Sequence, residues 1–324
     1  MNIVMLEPLG VDEATLTSLA EPFTKEGHTF VYCGEKLTDE EKLARAKDAD
    51  IFVIANSPLT AEVINAAENL KMVSVGFTGI DHVDVEACRA KDVMICNAQG
   101  YATDSTGELA IGLMLACLRN IADYTDIVKA GGTLAGIPGE TPAGSLKHNT
   151  LHGKTVGVIG TGEIGRKVAG LAKAFGCKVL AYAPREKEEA LKIGVVYTEL
   201  DTLFKESDIV TLHTPLLEST KNIADRNRIN SMKETAILIN CSRGGLVDSQ
   251  ALADALNEGR IAAAGIDVYE NEPPIDKTHP LLNAKNVVLT PHVGFYSEES
   301  LLARAEIVCD NITAWLSGSP INVK

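Results

Sequence analysis

The chain has 324 residues, of which 45% are hydrophobic and 23% are charged. This length and composition are typical of a soluble globular protein of about two domains. The formal net charge is −14 and no Lys/Arg run occurs, which argues against binding to nucleic acid or to an anionic membrane, because either partner needs a basic patch.

Seven cysteines are scattered along the chain, with an odd total and no C-x-x-C pair. This usage favours reduced thiols over a disulfide framework or a zinc site. The first residues enter a predicted strand directly, without a basic segment or a long apolar run. We therefore expect no signal peptide, no membrane span, no bound metal and a cytoplasmic location.

Short apolar runs alternate with helical patterns from residue 1 to about residue 98. This alternation predicts repeated βα units, and thus a parallel, doubly wound sheet. Thr38 and Glu41 have the spacing of a capping box at the start of the second helix. The predicted strands are 3–6, 29–33, 51–54, 72–75 and 93–96, and the predicted helices are 12–25, 38–47, 61–69 and 83–91.

A glycine-containing loop, GFTGIDHVD, covers residues 76–84 and follows the fourth predicted strand. Open α/β sheets bind ligands at the carboxyl ends of their strands, so this loop is a candidate ligand loop. A plain strand-to-helix connector explains the same residues equally well.

Residues 107–120 form a strongly apolar helical segment that is too short to span a bilayer, and we expect it to be buried between two domains. Residues 131–153 are rich in Gly, Pro, Thr and Ser and show no periodicity. This composition predicts a long surface excursion.

The βα alternation restarts at Thr155 and indicates a second doubly wound domain. A long amphipathic helix over 297–317 follows its last strand and is free to return to the first domain. The predicted strands here are 156–159, 178–182, 209–213, 236–241, 263–267 and 287–290, and the predicted helices are 164–175, 187–193, 200–205, 225–232 and 249–258.

The second domain opens on KTVGVIGTGEIGRKVAGLAKAFG, residues 154–176, in which a strand, a G-x-G-x-x-G turn and a helix are contiguous. In such a turn Gly160 permits the tight bend, Gly162 lets the backbone approach a pyrophosphate, and Gly165 lets the helix lie close to the strand. The N–H groups near Glu163 and Ile164 then face the anion at the positive end of the helix dipole. The pattern predicts dinucleotide binding, and a structural glycine turn is the alternative.

Three polar residues follow strands of the second domain: Arg243, Glu272 and His292. Taken singly, they are explained as a surface ion pair, a solvated carboxylate and a loop histidine. Together they supply a cation for a substrate carboxylate, a proton donor for an alkoxide, and a carboxylate that orients the imidazole. With a nicotinamide bound at the glycine turn, this set predicts reduction of a 2-oxo acid.

These motifs resemble those of the D-isomer-specific 2-hydroxyacid dehydrogenase family over nearly the whole chain. The motifs VGFTGIDHVD, GELAIGLMLA, HGKTVGVIGTGEIGRKVA, DIVTLHTPLLEST, ILINCSRGGLVD, AAAGIDVYENEPP and NVVLTPHVGF occur in family order. The resemblance implies two α/β domains with a catalytic cleft between them: a flavodoxin-like substrate domain (1–98 plus 296–324) and a Rossmann nucleotide domain (99–295).

The resemblance also implies individual roles. Arg243 binds and polarises the substrate, Glu272 partners the acid/base, and His292 donates the proton in reduction. Asp267 holds the nicotinamide carboxamide, although an acidic residue that ends a strand can instead cap the next turn. Backbone N–H groups of Phe77, Thr78 and Gly79 bind the substrate carboxylate, and the remaining cofactor-lining positions are His213, Thr214, Pro215, Cys241, Ser242 and Gly294.

The chain departs from the family pattern after the second strand of the nucleotide domain. NAD-preferring members carry an acidic residue there, whereas this chain has Ala183, with Arg185 close by. The missing carboxylate removes a repulsion against a 2′-phosphate, and an Arg is a suitable partner for that group. We expect NADP to be accepted or preferred over NAD, unless Glu186 or Glu188 replaces the acid from a shifted turn.

A second departure is the Gly/Pro-rich segment 131–148, where family members tend to have a Trp-containing segment that contributes to the dimer. This segment contains no aromatic residue. A homodimer remains the expectation from the resemblance.

Three functions therefore remain in view. The leading one is reduction of a 2-oxo acid, of the glyoxylate or hydroxypyruvate type or larger, to a D-2-hydroxy acid. A short 3-phosphoglycerate dehydrogenase would favour extra basic residues for the phosphate, which the sequence does not reveal. A dinucleotide-sensing scaffold without turnover is the third, and the intact Arg243, Glu272 and His292 speak for an enzyme.

Overall fold

The computed structural model describes residues 1–132 and 148–324. These residues divide into two compact units, which comprise Met1–Ala102 with Phe295–Lys324 (unit 1) and Thr103–Gly294 (unit 2). The domains predicted from the sequence are 1–98 plus 296–324 and 99–295. The assignment of substrate to the first and nucleotide to the second stays a prediction.

The elements follow the predicted βα alternation closely. The strands are β1 (Asn2–Met5), β2 (Thr29–Val31), β3 (Ile51–Ile54), β4 (Met72–Val75), β5 (Met94–Asn97), β6 (Thr155–Ile159), β7 (Lys178–Tyr182), β8 (Val196–Tyr197), β9 (Ile209–Leu212), β10 (Ile237–Asn240), β11 (Ala263–Ile266) and β12 (Val287–Leu289). The α-helices are α1 (Glu13–Thr24), α2 (Asp39–Ala46), α3 (Ala61–Ala66), α4 (Val85–Ala90), α5 (Thr103–Arg119), α6 (Ile121–Lys129), α7 (Glu163–Ala174), α8 (Glu188–Lys192), α9 (Leu200–Glu206), α10 (Arg226–Ser231), α11 (Ser249–Asn257) and α12 (Glu298–Leu316).

Unit 1 contains a five-stranded parallel sheet in the order β2-β1-β3-β4-β5. This is the flavodoxin-like order, as predicted. The capping box that starts α2 is also confirmed, since Thr38 and Glu41 bond reciprocally. Helix α12 packs into the core of this unit through side chains that recur at helical spacing, namely Ala305, Val308 and Ile312.

Unit 2 contains a seven-stranded parallel sheet in the order β12-β11-β10-β9-β6-β7-β8. When β6 is counted as strand 1 and the sheet is followed from β8 to β12, the order is 3-2-1-4-5-6-7. This order contains the Rossmann arrangement 3-2-1-4-5-6 and confirms the predicted fold class. The direction of sheet growth changes between β6 and β9. Strands β9 and β10 are buried throughout, which explains why three of the four residues in each are apolar.

Two elements of unit 2, strand β8 and helix α6, were not predicted from the sequence. Strand β8 has only two residues and is too short to show a period. The sequence predicted a helix that ends at residue 120 and no further helix after it. Asn120 adopts φ 49°, a left-handed conformation that ends α5, and α6 begins at the next residue. The predicted surface excursion 131–153 lies for the most part outside the described residues. None of the helices in the described ranges is long and apolar enough to cross a membrane.

Candidate active site

The glycine turn after β6 has the tight geometry expected of a dinucleotide loop. Gly160 adopts φ +95°, and a Cβ atom there would lie 2.3 Å from the carbonyl oxygen of His213. A Cβ atom at Gly165 would lie 1.9 Å from the carbonyl oxygen of Gly160. Both contacts are with backbone that cannot give way, so these two positions require glycine. Because His213 follows β9, the turn lies where the strand order of the sheet reverses.

Gly162 is the glycine that faces open space. A Cβ atom there would meet no heavy atom within 4 Å. The residue is the N-cap of α7, and no side chain caps the helix at this position. An open helix N-terminus in its first turn, at Glu163 and Ile164, presents N–H groups and a positive dipole. The turn therefore fits a dinucleotide pyrophosphate, which would be held by these backbone groups.

The loop after β7 carries the two residues predicted to select the nucleotide. Ala183 is half-buried at the end of the strand, and Arg185 is exposed. The loop ends at Lys187, the N-cap of α8. Glu188, one of the two acids that could substitute for the missing carboxylate, forms an ion pair with Lys192 at 2.8 Å.

His213 lies at the end of β9, directly against the glycine turn. Its Nε2 atom is 2.8 Å from Oγ1 of Thr211. Burial lowers the pKa of His213 to about 4, so the imidazole is neutral at physiological pH. A neutral ring suits a structural or cofactor-edge position and excludes a role as a fixed cation.

The turn that carries Arg243 is fixed by hydrogen bonds of two neighbouring side chains, the buried Asn240 and the half-buried Ser242. The amide nitrogen of Asn240, at the end of β10, donates to the carbonyl of Arg243 at 2.9 Å, and its oxygen accepts from the N–H of Ser242 at 3.1 Å. The Ser242 hydroxyl donates to the carbonyl of Thr214 at 2.7 Å, which ties this turn to the Thr214–Pro215 turn. Burial raises the pKa of the intervening Cys241 thiol well above its usual value, so it stays protonated.

A backbone contact joins the Arg243 turn to the loop after β11. A Cβ atom at Gly244 would lie 2.0 Å from the carbonyl carbon of Tyr269 and 2.3 Å from the nitrogen of Glu270. Gly244 therefore allows two loops to touch main chain to main chain. The second of these loops carries Glu272, so the structure brings the supports of Arg243 and Glu272 together.

His292 and Glu272 form a direct pair. The Nδ1 atom of His292 is 2.6 Å from Oε1 of Glu272, and both side chains are half-buried. His292 adopts φ 56°, a left-handed conformation that is uncommon for a residue with a side chain. Such conformations concentrate at functional sites, because the surrounding structure must hold them. A carboxylate on one ring nitrogen fixes the orientation of the ring.

Asp267 organises the turn that carries His292. The carboxylate is fully buried, with 0% exposure. Its Oδ1 atom accepts from the Thr290 hydroxyl at 2.6 Å and from the Val293 N–H at 2.8 Å, and Oδ2 accepts from the Gly294 N–H at 2.8 Å. These bonds go to the turn after the neighbouring strand β12, whereas the alternative expected from the sequence was a cap on the turn that directly follows Asp267. The contact of Asp267 with a nicotinamide stays a prediction.

Tyr269 is a supporting residue that the sequence interpretation missed. Its hydroxyl donates to the carbonyl of Thr290 at 3.1 Å and so connects the Glu272 loop to the His292 turn. Burial, with the charges of Asp267 and Glu272, raises the pKa of Tyr269 to about 12, which keeps the hydroxyl a donor. The only signal in the sequence is its place within DVYENEPP.

The candidate substrate loop lies in unit 1, after β4. The amide nitrogen of Asn97 donates to the carbonyl of Thr78 at 2.6 Å, and the N–H of Ala98 donates to the carbonyl of Phe77 at 3.1 Å. These bonds fix the orientation of the peptides that lead to Gly79. Among the described residues, no cluster of His, Cys, Asp and Glu suits a metal ion.

Comparison with known proteins gives a consistent result. The family model for the NAD binding domain of the D-isomer specific 2-hydroxyacid dehydrogenases matches residues 111–294. The hydroxypyruvate reductase of Thermotoga maritima is 41% identical over 268 residues, which cover 82% of this chain and 84% of that protein. The D-3-phosphoglycerate dehydrogenase of Methanocaldococcus jannaschii is 43% identical over 285 residues, which cover 87% of this chain but 52% of that protein. This chain thus spans about half the length of that relative.

A solved structure covers all of this chain: an acyclic imino acid reductase (Bsp5) in complex with NADPH and D-Arg, at 28% identity, a TM-score of 0.86 and 100% coverage of both chains. The parallel Rossmann sheet and its glycine turn place the chain in the dinucleotide-binding α/β class. Within this class, the chain belongs to the D-isomer specific 2-hydroxyacid dehydrogenase family.

Proposed function

We propose that this enzyme reduces a short 2-oxo acid of the hydroxypyruvate or glyoxylate type to the D-2-hydroxy acid. The observation that carries the proposal is the 2.6 Å pair of His292 and Glu272, held at the end of β12 in the same unit as the glycine turn. The name of the Thermotoga relative supports the hydroxypyruvate class.

The chemistry divides among three side chains. When bound, the nicotinamide supplies the hydride that reduces the substrate carbonyl. The guanidinium of Arg243 binds the substrate carboxylate and polarises the carbonyl as negative charge develops on its oxygen. His292 then gives its proton to that oxygen, and Glu272 stabilises the imidazolium before the transfer. In the oxidative direction the same histidine takes the proton back.

The substrate carboxylate needs a local attraction, because the net charge of the chain is −14. Besides Arg243, we assign this role to the backbone N–H groups of Phe77, Thr78 and Gly79 in unit 1. The hydrogen bonds to the carbonyls of Phe77 and Thr78 support the assignment, since they hold the loop in one conformation. Backbone donors fixed in this way bind an anion without a further loss of entropy.

The dinucleotide would be held by the glycine turn and by the loop after β7. We expect NADP to be accepted or preferred, because Ala183 supplies no carboxylate and Arg185 is exposed two residues further on, unless Glu186 or Glu188 replaces the missing acid. Thr214, Pro215, Cys241, Ser242, Asp267 and Gly294 are the remaining cofactor-lining positions in this proposal.

Assembly and location are also proposals. We expect a homodimer, as the family resemblance implies, and helix α6 offers an apolar surface that includes the exposed Ile121 and Val128. Light scattering at several concentrations measures the assembly. A cytoplasmic location is supported by the seven cysteines, all of which are free thiols.

A second candidate is oxidation of 3-phosphoglycerate. It is favoured by the 43% sequence identity to the D-3-phosphoglycerate dehydrogenase of Methanocaldococcus jannaschii. It requires a cationic site for the substrate phosphate in addition to Arg243. A dinucleotide-sensing scaffold is the third candidate and requires no turnover.

Loss of reduced nicotinamide absorbance, measured with NADPH and NADH in parallel, tests the proposal. The substrates are hydroxypyruvate, glyoxylate, pyruvate, 3-phosphohydroxypyruvate and two larger 2-oxo acids. Fastest turnover of hydroxypyruvate or glyoxylate supports the proposal, and fastest turnover of 3-phosphohydroxypyruvate favours the second candidate. Binding of a dinucleotide without turnover of any substrate would favour the third candidate, the dinucleotide-sensing scaffold.

A further inference from the structure

The hydroxyl of Tyr197 joins the glycine turn to the loop after β7. It accepts a hydrogen bond from the N–H of Lys187 at 3.0 Å and donates one to Oγ1 of Thr161 at 2.9 Å. Thr161 is the residue between Gly160 and Gly162. One side chain therefore connects the predicted pyrophosphate site to the predicted ribose site.

The Thr161 end of this connection is rigid. Thr161 is only 4% exposed, although it is polar and lies in a turn. Its carbonyl accepts a hydrogen bond from Nη1 of Arg166 at 2.9 Å, within the first helical turns of α7. Since the carbonyl and the hydroxyl of Thr161 both form hydrogen bonds, the residue is held in place and provides a rigid partner for the Tyr197 hydroxyl.

The Lys187 end, by contrast, has little packing to hold it. The side chains from Pro184 to Glu189 are all exposed. Tyr197 itself belongs to β8, which has two residues, pairs with β7 alone and forms the edge of the sheet. A hydrogen bond to the N–H of Lys187 thus restrains a loop that carries Arg185 two residues earlier.

We propose that Tyr197 is a positioning residue for nucleotide choice: it holds the loop after β7 so that Arg185 meets the 2′-phosphate of NADP. This inference rests on the proposed preference for NADP. The restraint lowers the conformational entropy that Arg185 loses when it binds the phosphate. NAD has no 2′-phosphate, so its affinity depends much less on the order of this loop.

Replacement of the hydroxyl alone tests the role. Tyr197→Phe keeps the ring, and isothermal titration calorimetry gives the dissociation constants for NADP⁺ and NAD⁺. We expect NADP⁺ to bind about fivefold more weakly, the size of one net hydrogen bond, and NAD⁺ to stay within about twofold of the wild type. Tyr32→Phe is the matched control, because Tyr32 directly follows β2 in unit 1 and should not affect either dissociation constant.

The partner hydroxyl gives a second, independent variant. Thr161→Val removes the acceptor and should reproduce the loss of NADP⁺ affinity, whereas Thr161→Ser keeps it and should bind as the wild type does. A general structural defect would not separate valine from serine in this way.

Limited trypsin digestion measures how well the loop after β7 is ordered when no cofactor is bound. The exposed loop offers cleavage after Arg185 and Lys187, and we expect Tyr197→Phe to be cut there several times faster than the wild type at an unchanged melting temperature.

An unchanged ratio of NADP⁺ to NAD⁺ affinity in Tyr197→Phe, or an equal weakening of both, would overturn the inference, and so would unchanged cleavage. The wild-type ratio reports separately on the proposed NADP preference. Weak binding of NADP⁺ by the wild type would count against that preference, whatever the digestion shows.

Discussion

The Nδ1 atom of His292 lies 2.6 Å from Oε1 of Glu272, so one nitrogen of the imidazole is held by a carboxylate. A histidine oriented in this way suits a proton donor in ketone reduction. This pair is the basis of the first two predictions.

His292→Ala should lower kcat by about two to four orders of magnitude, the usual loss for a general acid. The dissociation constant for the dinucleotide should stay within about twofold, because the glycine turn is untouched. Steady-state kinetics and calorimetry measure the two quantities. His28→Ala, at an exposed site in unit 1, is the control. A kcat equal to that of the wild type would remove His292 from the mechanism.

Glu272→Gln should lower kcat by about 10- to 100-fold, because the amide no longer stabilises the imidazolium. The double variant Glu272→Gln/His292→Ala should be no slower than His292→Ala alone, since the glutamate acts through the histidine. Additive losses in this cycle would mean that Glu272 has a separate role.

Asp267→Asn should destabilise the protein by about 2 kcal/mol, because a buried carboxylate that accepts three hydrogen bonds becomes an amide with one acceptor oxygen. Activity should fall as well, since the turn that carries His292 loses its support. Denaturant unfolding and kinetics measure both effects. Asp104→Asn, in an exposed ion pair with Lys167, should leave the free energy of unfolding nearly unchanged. Equal losses in the two variants would contradict this account of Asp267.

His213 should make stability depend on pH. Its pKa is lowered from 6.5 to about 4 in the folded protein, so the unfolded chain binds the proton more tightly. Stability is therefore full above about pH 6.5 and falls as the pH drops from there towards 4, with a loss of about 2 kcal/mol at pH 5.

Urea midpoints at pH 7 and pH 5 test this prediction. His213→Gln cannot gain a proton, so its stability should change less between the two values of pH than that of the wild type. The same difference in both proteins would show that other groups cause the pH dependence.

The features that could be predicted from the sequence are local ones. Gly160, Gly162 and Gly165 stand within six consecutive residues, and each strand of the parallel sheets is a short apolar run, so both could be read from adjacent positions. The polar residues that follow those strands could be placed near one edge of the sheet for the same reason.

The supports of the candidate site could not be predicted, because they depend on contacts between distant segments. Tyr269 donates to the carbonyl of Thr290, which lies 21 residues further along the chain. Tyr197 lies on a two-residue strand that has no period at all. Asp267 likewise accepts hydrogen bonds from Val293 and Gly294, which lie in a turn far along the chain from the strand that Asp267 follows.

The contact of Gly244 with the main chain of Tyr269 and Glu270 has a consequence for attempts to change the substrate of this enzyme. Mutant libraries built around Arg243 should tolerate almost no substitution at Gly244, because even alanine would force two backbones apart. Phe77, in the proposed substrate loop, should tolerate few substitutions as well, because it is only 7% exposed and its ring packs against that of Phe295 with the centroids 4.8 Å apart.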